Sequence, residues 1–293
     1  MIIRKREIFF QTVILIGLIS ASITKYTYIQ KKIVYNDLNK EVMENVYSFP
    51  GEVGLYIKDL KTGVVITYNE NKPFASASLV KLPIMAATYQ AIEDGNITLQ
   101  EQLTLTRSLK AAGSGTLKMC RRGTKFCVSE LLYHMITESD NTATNMISNK
   151  LGYGYINWVF KNKLNMEVTR MDRGIMDLRM RKYGVENYTT AREMGDILEK
   201  IYNKQLISER ASDEMLTILS QQKHKDRIRR FLPKNLNVAN KTGLLRDICH
   251  DAGIVFTDKG DFIVCVLTSD FGPSYRVAKN LIGEVAYKTY RCY

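Results

Sequence analysis

Strand-like runs stand at both ends of this chain, and most of what lies between them is patterned as helix. VGLYIKDL and VVITY, within residues 53–68, and NVANKTG, DAGIVFT and DFIVCVLTS, within residues 237–269, are rich in β-branched and aromatic residues and are broken by turn residues. From Phe74 to about Arg230 apolar residues instead recur at helical spacing, as in Leu79, Leu82, Met85, Tyr89 and Ile92. Strands early, helices in the middle and strands late require both chain ends to build one antiparallel sheet, with the middle forming a separate helical lobe. The cleft between lobes is the expected place for a site. The expected divisions are an N-terminal segment at 1–32, an α/β lobe from 33–75 with 232–293, and an all-α lobe at 76–231. A last helix is expected from about Ser274 to Tyr290.

The first segment has its own logic. Arg4, Lys5 and Arg6 precede an uncharged stretch from Ile8 to Thr24, and Lys25 closes it. This is the pattern of an export signal, and its length is at the short end for a spanning helix. Ile19-Ser20-Ala21 makes a poor cleavage site, so an uncleaved anchor with the rest of the chain outside the cytoplasm is expected, or a secreted form if the segment is removed. Beyond it, Leu38, Val42 and Val46 keep helical spacing until Pro50-Gly51 stops them.

Lys and Arg number 42 against 30 Asp and Glu, a net charge of +12 that favours anionic surroundings. The densest basic run, KHKDRIRR at 223–230, has no interleaved aromatic and reads as a solvated helix face, so no nucleic-acid partner is expected. Five cysteines, Cys120, Cys127, Cys249, Cys265 and Cys292, are too few for a disulfide scaffold, although Cys120 and Cys127 could close a short loop. Cys249, His250 and Asp251 are consecutive on a strand and cannot converge on one ion, so neither metal nor cofactor is expected. A monomer is expected.

Ser78 and Lys81 stand three residues apart at the start of an apolar helix, which puts a nucleophile and a base on one face. The spacing alone is weak, because Ser22 with Lys25 and Ser220 with Lys223 share it. Only Ser78 opens a long apolar helix, and Pro83 supports a start close to it. There the backbone N–H groups can face a developing oxyanion, and a buried Lys81 can surrender enough of its charge preference to accept a proton. Ser139-Asp140-Asn141 lies between helical runs: Asp140 or Asn141 can cap the next helix, or Ser139 can relay a proton while the Asn141 amide binds substrate. Lys-Thr-Gly occurs twice, and at Lys61-Thr62-Gly63 it joins two strands as turn chemistry.

Ser-x-x-Lys, then Ser-Asp-Asn, then Lys-Thr-Gly, in that order, resembles the motif set of class A β-lactamases and penicillin-binding proteins. MITESDNTATN, VTRMDR and NYTTAREM are also similar to class A segments, so the resemblance spans roughly residues 45–293. It implies a five-stranded antiparallel sheet flanked by terminal helices, beside a helical lobe. It implies an exported serine hydrolase that opens a β-lactam amide through a Ser78 acyl-enzyme, with Lys81 as base and Ser139 as proton relay. Asn141, Lys241, Thr242 and Gly243 would hold substrate, and the N–H groups of Ser78 and Leu244 would form the oxyanion hole. Lys61 is then the decoy.

The pattern breaks where the family places the glutamate and asparagine that position the water for acyl-enzyme release. Aligned through Arg173 and Thr189-Thr190, those places hold Ile175 and Arg179. Asp177 is a substitute only if the loop is rebuilt, Asp172 reads as structural, and Glu186 is the nearest acidic partner for Arg173, since Tyr188 stands in the usual place. The acylation half of the machinery is thus expected and the deacylation half is not. The same residues would also suit a D-Ala-D-Ala-type peptidase or transferase on peptidoglycan peptides, or a penicillin-binding protein with little turnover.

Overall fold

The computed structural model describes residues 2–293, with side chains from Val13 onward. Arg4, Lys5, Arg6 and the first part of the uncharged stretch therefore lie outside the described side chains. One helix, α1 (Ile2–Tyr47), takes in both the apolar segment and the helix expected after it. No Pro or Gly falls between Thr24 and Tyr35, so nothing in the backbone interrupts the helix there. Val13–Tyr47 is long and apolar enough by composition to cross a membrane, and the apolar side chains from Val13 to Ile23 stand exposed.

After α1 come β1 (Glu52–Asp59), β2 (Val65–Tyr68), β3 (Phe74–Ala75) and α2 (Lys81–Glu93). The middle of the chain holds β4 (Gln102–Thr104), β5 (Lys125–Cys127), α3 (Val128–Thr137), α4 (Asn141–Leu151) and α5 (Tyr153–Asn162). It continues with α6 (Leu178–Lys182), β6 (Tyr188–Thr189), α7 (Ala191–Tyr202) and α8 (Glu209–Ser220). The chain returns to the sheet with β7 (Val238–Leu245), β8 (Ile248–Val255) and β9 (Phe262–Ser269), then ends in α9 (Tyr275–Tyr290).

The main sheet has five strands in the order β2-β1-β9-β8-β7, every neighbour antiparallel, so the first and last strands of the chain pair at β1 and β9. The middle is not purely helical: β3 pairs with β6 and β4 with β5 in two small sheets. Such two- and three-residue strands carry too few side chains to show a period of two in sequence.

Both faces of the main sheet are covered, which explains why DFIVCVLTS runs apolar without alternation. Leu55, Ile57, Val264 and Val266 face Leu38, Val42 and Val46 of α1 and Leu281, Ile282 and Val285 of α9. Tyr56, Cys265 and Leu267 face the helical lobe. There α7 approaches closely, since a Cβ at Gly195 would lie 2.3 Å from Tyr56 Cδ1. All five cysteines are free thiols, Cys120 and Cys127 included.

The first Lys-Thr-Gly is the β1–β2 turn. Gly63 takes the left-handed conformation (φ 74°), and Asp59 Oδ1 accepts from the Thr62 N–H at 2.6 Å and the Thr62 hydroxyl at 2.5 Å.

Candidate active site

A 3₁₀ turn at Ala77–Val80 leads directly into α2, so Ser78 opens the helix from a tighter turn. Ala77, the residue before it, is held at φ 48°, and Ser139 at φ 55°. Left-handed backbone at two non-glycine residues of one cluster costs about 1–3 kcal/mol each and persists only where the surroundings enforce it. Ser78 is partly exposed, while Lys81 and Lys241 are fully buried.

The second Lys-Thr-Gly meets the Ser-Asp-Asn loop at one point. Lys81 Nζ donates to the Ser139 carbonyl at 2.6 Å, the Ser139 hydroxyl at 3.1 Å and Asn141 Oδ1 at 2.7 Å. Lys241 Nζ donates to the same Ser139 hydroxyl at 3.0 Å. That oxygen thus accepts from two ammonium groups, and its own proton is directed elsewhere. Burial pushes the Lys81 ammonium down to about 7, with Asp140 pulling the other way. Burial, and then the charge of Lys81, hold Lys241 well below the ordinary lysine range. Two buried ammoniums sharing one acceptor oppose each other's charge, so near neutral pH the site holds a neutral amine that can accept a proton.

The supporting contacts explain the local sequence. Asp140 is the N-cap of α4, accepting from the Ala143 N–H at 2.8 Å, and its other oxygen takes the Leu117 N–H at 2.8 Å. Capping and a site role are therefore divided within the motif. Asn141 Nδ2 donates to the Ala112 carbonyl at 2.8 Å, which leaves its second hydrogen for a ligand. Gly243 lets β7 close on the nucleophile turn: a Cβ there would lie 3.3 Å from the Ala77 Cβ and 3.2 Å from the His250 Cβ. Thr242 is buried beside Lys241, and Leu244 is exposed on the same strand.

Three further residues hold this arrangement and were not singled out for it in the sequence. Buried His250 bridges the sheet to the turn that carries Ser78. Its Nδ1 accepts from the Thr268 N–H at 3.0 Å, so Nε2 is the protonated nitrogen and donates to the Ala75 carbonyl at 3.0 Å. Burial lowers its pKa to about 4, so the ring is neutral. Asn187 accepts from the Ser76 N–H through its carbonyl at 2.7 Å and from the Asp172 and Arg173 N–H groups through Oδ1 at 2.8 and 3.0 Å. Arg227 corrects the reading of KHKDRIRR as a solvated face. It is buried, with Nε on Cys249 Sγ at 3.3 Å and Nη1 on Asp226 at 2.8 Å, and its charge is felt at Lys241. Only the strand that packs beneath it reveals this, because charge density along the sequence looks the same either way.

The loop after Arg173 is closed by an ion pair, Arg173 to Glu186 Oε1 at 2.9 Å through Nε and 2.5 Å through Nη2, as the sequence suggested. Ile175 is packed in the core of the helical lobe. Asp177 caps α6, accepting from the Met180 N–H at 3.0 Å. With Ile175 it lines a cavity of about 650 Å³ to which neither Ser78 nor Lys81 contributes. Its carboxylate is therefore engaged in capping α6.

Comparison with known proteins identifies the fold and the family. PBP-A superposes with a TM-score of 0.80 at 29% identity, covering 87% of this chain and 95% of PBP-A. A leucine-to-glutamate mutant of PBP-A, solved as an acyl-enzyme complex with penicillin G, superposes at 0.80 and 28% identity over 87% of this chain and 96% of that one. Beta-lactamase VEB-1 of Pseudomonas aeruginosa is 22% identical over 262 residues, 82% of this chain and 85% of the relative. The family described as "Beta-lactamase enzyme family" matches residues 36–293. The chain belongs to that family, the serine hydrolases with the class A β-lactamase fold.

Proposed function

We propose that this protein opens the amide of β-lactams through an acyl-enzyme on Ser78 and releases the product slowly. The observation that carries the reading is the pair of buried lysines on the Ser139 hydroxyl, with no carboxylate at Ile175 to follow. The Ser78 hydroxyl attacks the lactam carbonyl and passes its proton to neutral Lys81. The N–H groups of Ser78 and Leu244 receive the oxyanion, and Lys241 with Thr242 holds the substrate carboxylate. As the C–N bond breaks, the Ser139 hydroxyl gives its proton to the leaving nitrogen and is reprotonated from the lysine pair. Hydrolysis of the ester then requires an activated water, for which Ile175 and Arg179 offer no base.

The same observation favours a second reading, a D-Ala-D-Ala-type peptidase on wall peptides. Acting as a transferase on the same peptides, such an enzyme passes its acyl group to an acceptor amine, which is itself the nucleophile and needs no water-activating glutamate. In either reading the apolar segment places the catalytic lobes outside the cytoplasm as an anchor.

The test uses the full chain in detergent with benzylpenicillin, followed by intact mass and by loss of the lactam. A persistent adduct with about one equivalent consumed, absent in Ser78→Ala, is expected. Many turnovers with free protein would overturn slow release, and labelling of Ser78→Ala would remove the nucleophile assignment. Release of D-alanine from a D-Ala-D-Ala peptide would select the second reading.

A further inference from the structure

The first Lys-Thr-Gly takes no part in the active site, yet it is not far from everything. A cavity of about 700 Å³ opens between its turn and the apolar helix, with Ala21, Ile23, Thr24 and Lys25 of α1 on one wall and Lys61 and Thr62 on the other. We propose that this joint binds the phosphate headgroup of an anionic phospholipid from the bilayer that holds α1. The inference rests on the anchoring reading and is independent of the chemistry at Ser78.

The walls match an amphiphile. Ala21 and Ile23 belong to the uncharged stretch, whose apolar side chains are exposed, and offer a surface for an acyl chain. Lys25 ends that stretch, which places it at headgroup level when the helix is inserted. Lys61 reaches the same opening from the sheet side. Both lysines are exposed, and among the described residues neither is in an ion pair. Asp59, the carboxylate at the base of the turn, is committed elsewhere. It already accepts from Thr62, from the Tyr293 hydroxyl at 2.6 Å and from Lys31 at 3.2 Å. Two ammoniums facing one opening next to an apolar wall, with the local anion committed, leave a phosphate as the complementary group.

Contacts beneath the joint tie its two walls together. Lys31 lies 3.3 Å from the centre of the Tyr293 ring, and the Tyr35 and Tyr293 hydroxyls are 2.8 Å apart. These ties fix α1 against the end of the sheet that carries the β1–β2 turn. The lysine pair is therefore held in place before any lipid arrives, which lowers the ordering cost of binding.

The experiment places the full chain in nanodiscs of equimolar phosphatidylcholine and phosphatidylglycerol and counts retained lipids by native mass spectrometry after ejection. Preferential retention of one phosphatidylglycerol is expected, reduced at least threefold in Lys61→Glu and restored in Lys61→Arg. Arg246→Glu, in the β7–β8 turn at the opposite end of the sheet, should leave retention unchanged. No preference over phosphatidylcholine, equal retention in Lys61→Glu, or an equal loss in Arg246→Glu would each overturn the site. The penicillin adduct measured on the same samples reports Ser78 separately. The intact mass of protein recovered from membranes reports whether the anchor persists, and its absence would remove both the anchor and this site.

Discussion

Ser139 presents one hydroxyl to two lysines, and the consequence is a pH dependence with a definite sign. A lysine lowered to about 7 is protonated below that pH and cannot take the Ser78 proton; above it the amine is neutral and can. The rate of penicillin acylation by stopped-flow should therefore rise with pH and level off above about 7. A flat rate between about pH 5.5 and 8.5 would exclude the lysine pair as the base. Ile175 sets the second step. Ile175→Glu adds a carboxylate at the place the alignment marks, and the half-life of the adduct, followed by intact mass, should fall at least about tenfold, or about 1.4 kcal/mol. An unchanged half-life would mean that the backbone of the loop, rather than the lost carboxylate, limits release. Sequence showed the absence at Ile175 because one position suffices for it. It did not show the presence of Arg227 near Lys241, because that proximity is made by strands far apart in the chain.

Strand β8 carries two buried titrating groups side by side, and they oppose each other. His250 falls from 6.5 to about 4 on burial, so the unfolded chain binds its proton more readily, and stability that is full above about 6.5 is lost as pH falls toward 4. Asp251 rises from 3.8 to about 6, chiefly by burial. Here the folded state binds the proton more readily, and stability is gained as pH falls from 6 toward 3.8. Each is worth on the order of 3 kcal/mol across its window, so the two nearly cancel. Asp251→Asn removes one side of the balance. Urea unfolding should show this variant losing about 2 kcal/mol between pH 7 and 5, against less than about 1 kcal/mol for the parent chain. Equal losses would mean that the Asp251 titration does not offset that of His250 in this window. At the level of elements the long helices and the paired ends of the sheet were legible from periodicity, whereas β3 to β6 were not, being too short to carry a period.

Across the whole molecule, the joint between anchor and sheet decides where a soluble form can begin. Lys31, largely buried, pairs with the fully buried Asp59 and caps the Tyr293 ring. A chain beginning at Lys32 leaves Asp59 without its cation. It should be less stable than one beginning at Gln30 by about 1–3 kcal/mol, seen as a lower thermal midpoint. Equal midpoints would show that Thr62 and Tyr293 satisfy Asp59 unaided. The sequence by itself determined the order of strands and helices, the apolar segment, and the three motifs, because periodicity, turn chemistry and spacing are local properties. It also decided that the first Lys-Thr-Gly is a turn, since Asp59, Thr62 and Gly63 lie within one hairpin. Only the tertiary structure decided that Lys241 and Lys81 share Ser139, that His250 holds the nucleophile turn, and that Arg227 is buried. Those contacts join residues from 58 to 175 positions apart, or strands to loops that no pattern links, and burial in a common dry interior is what gives them their energies.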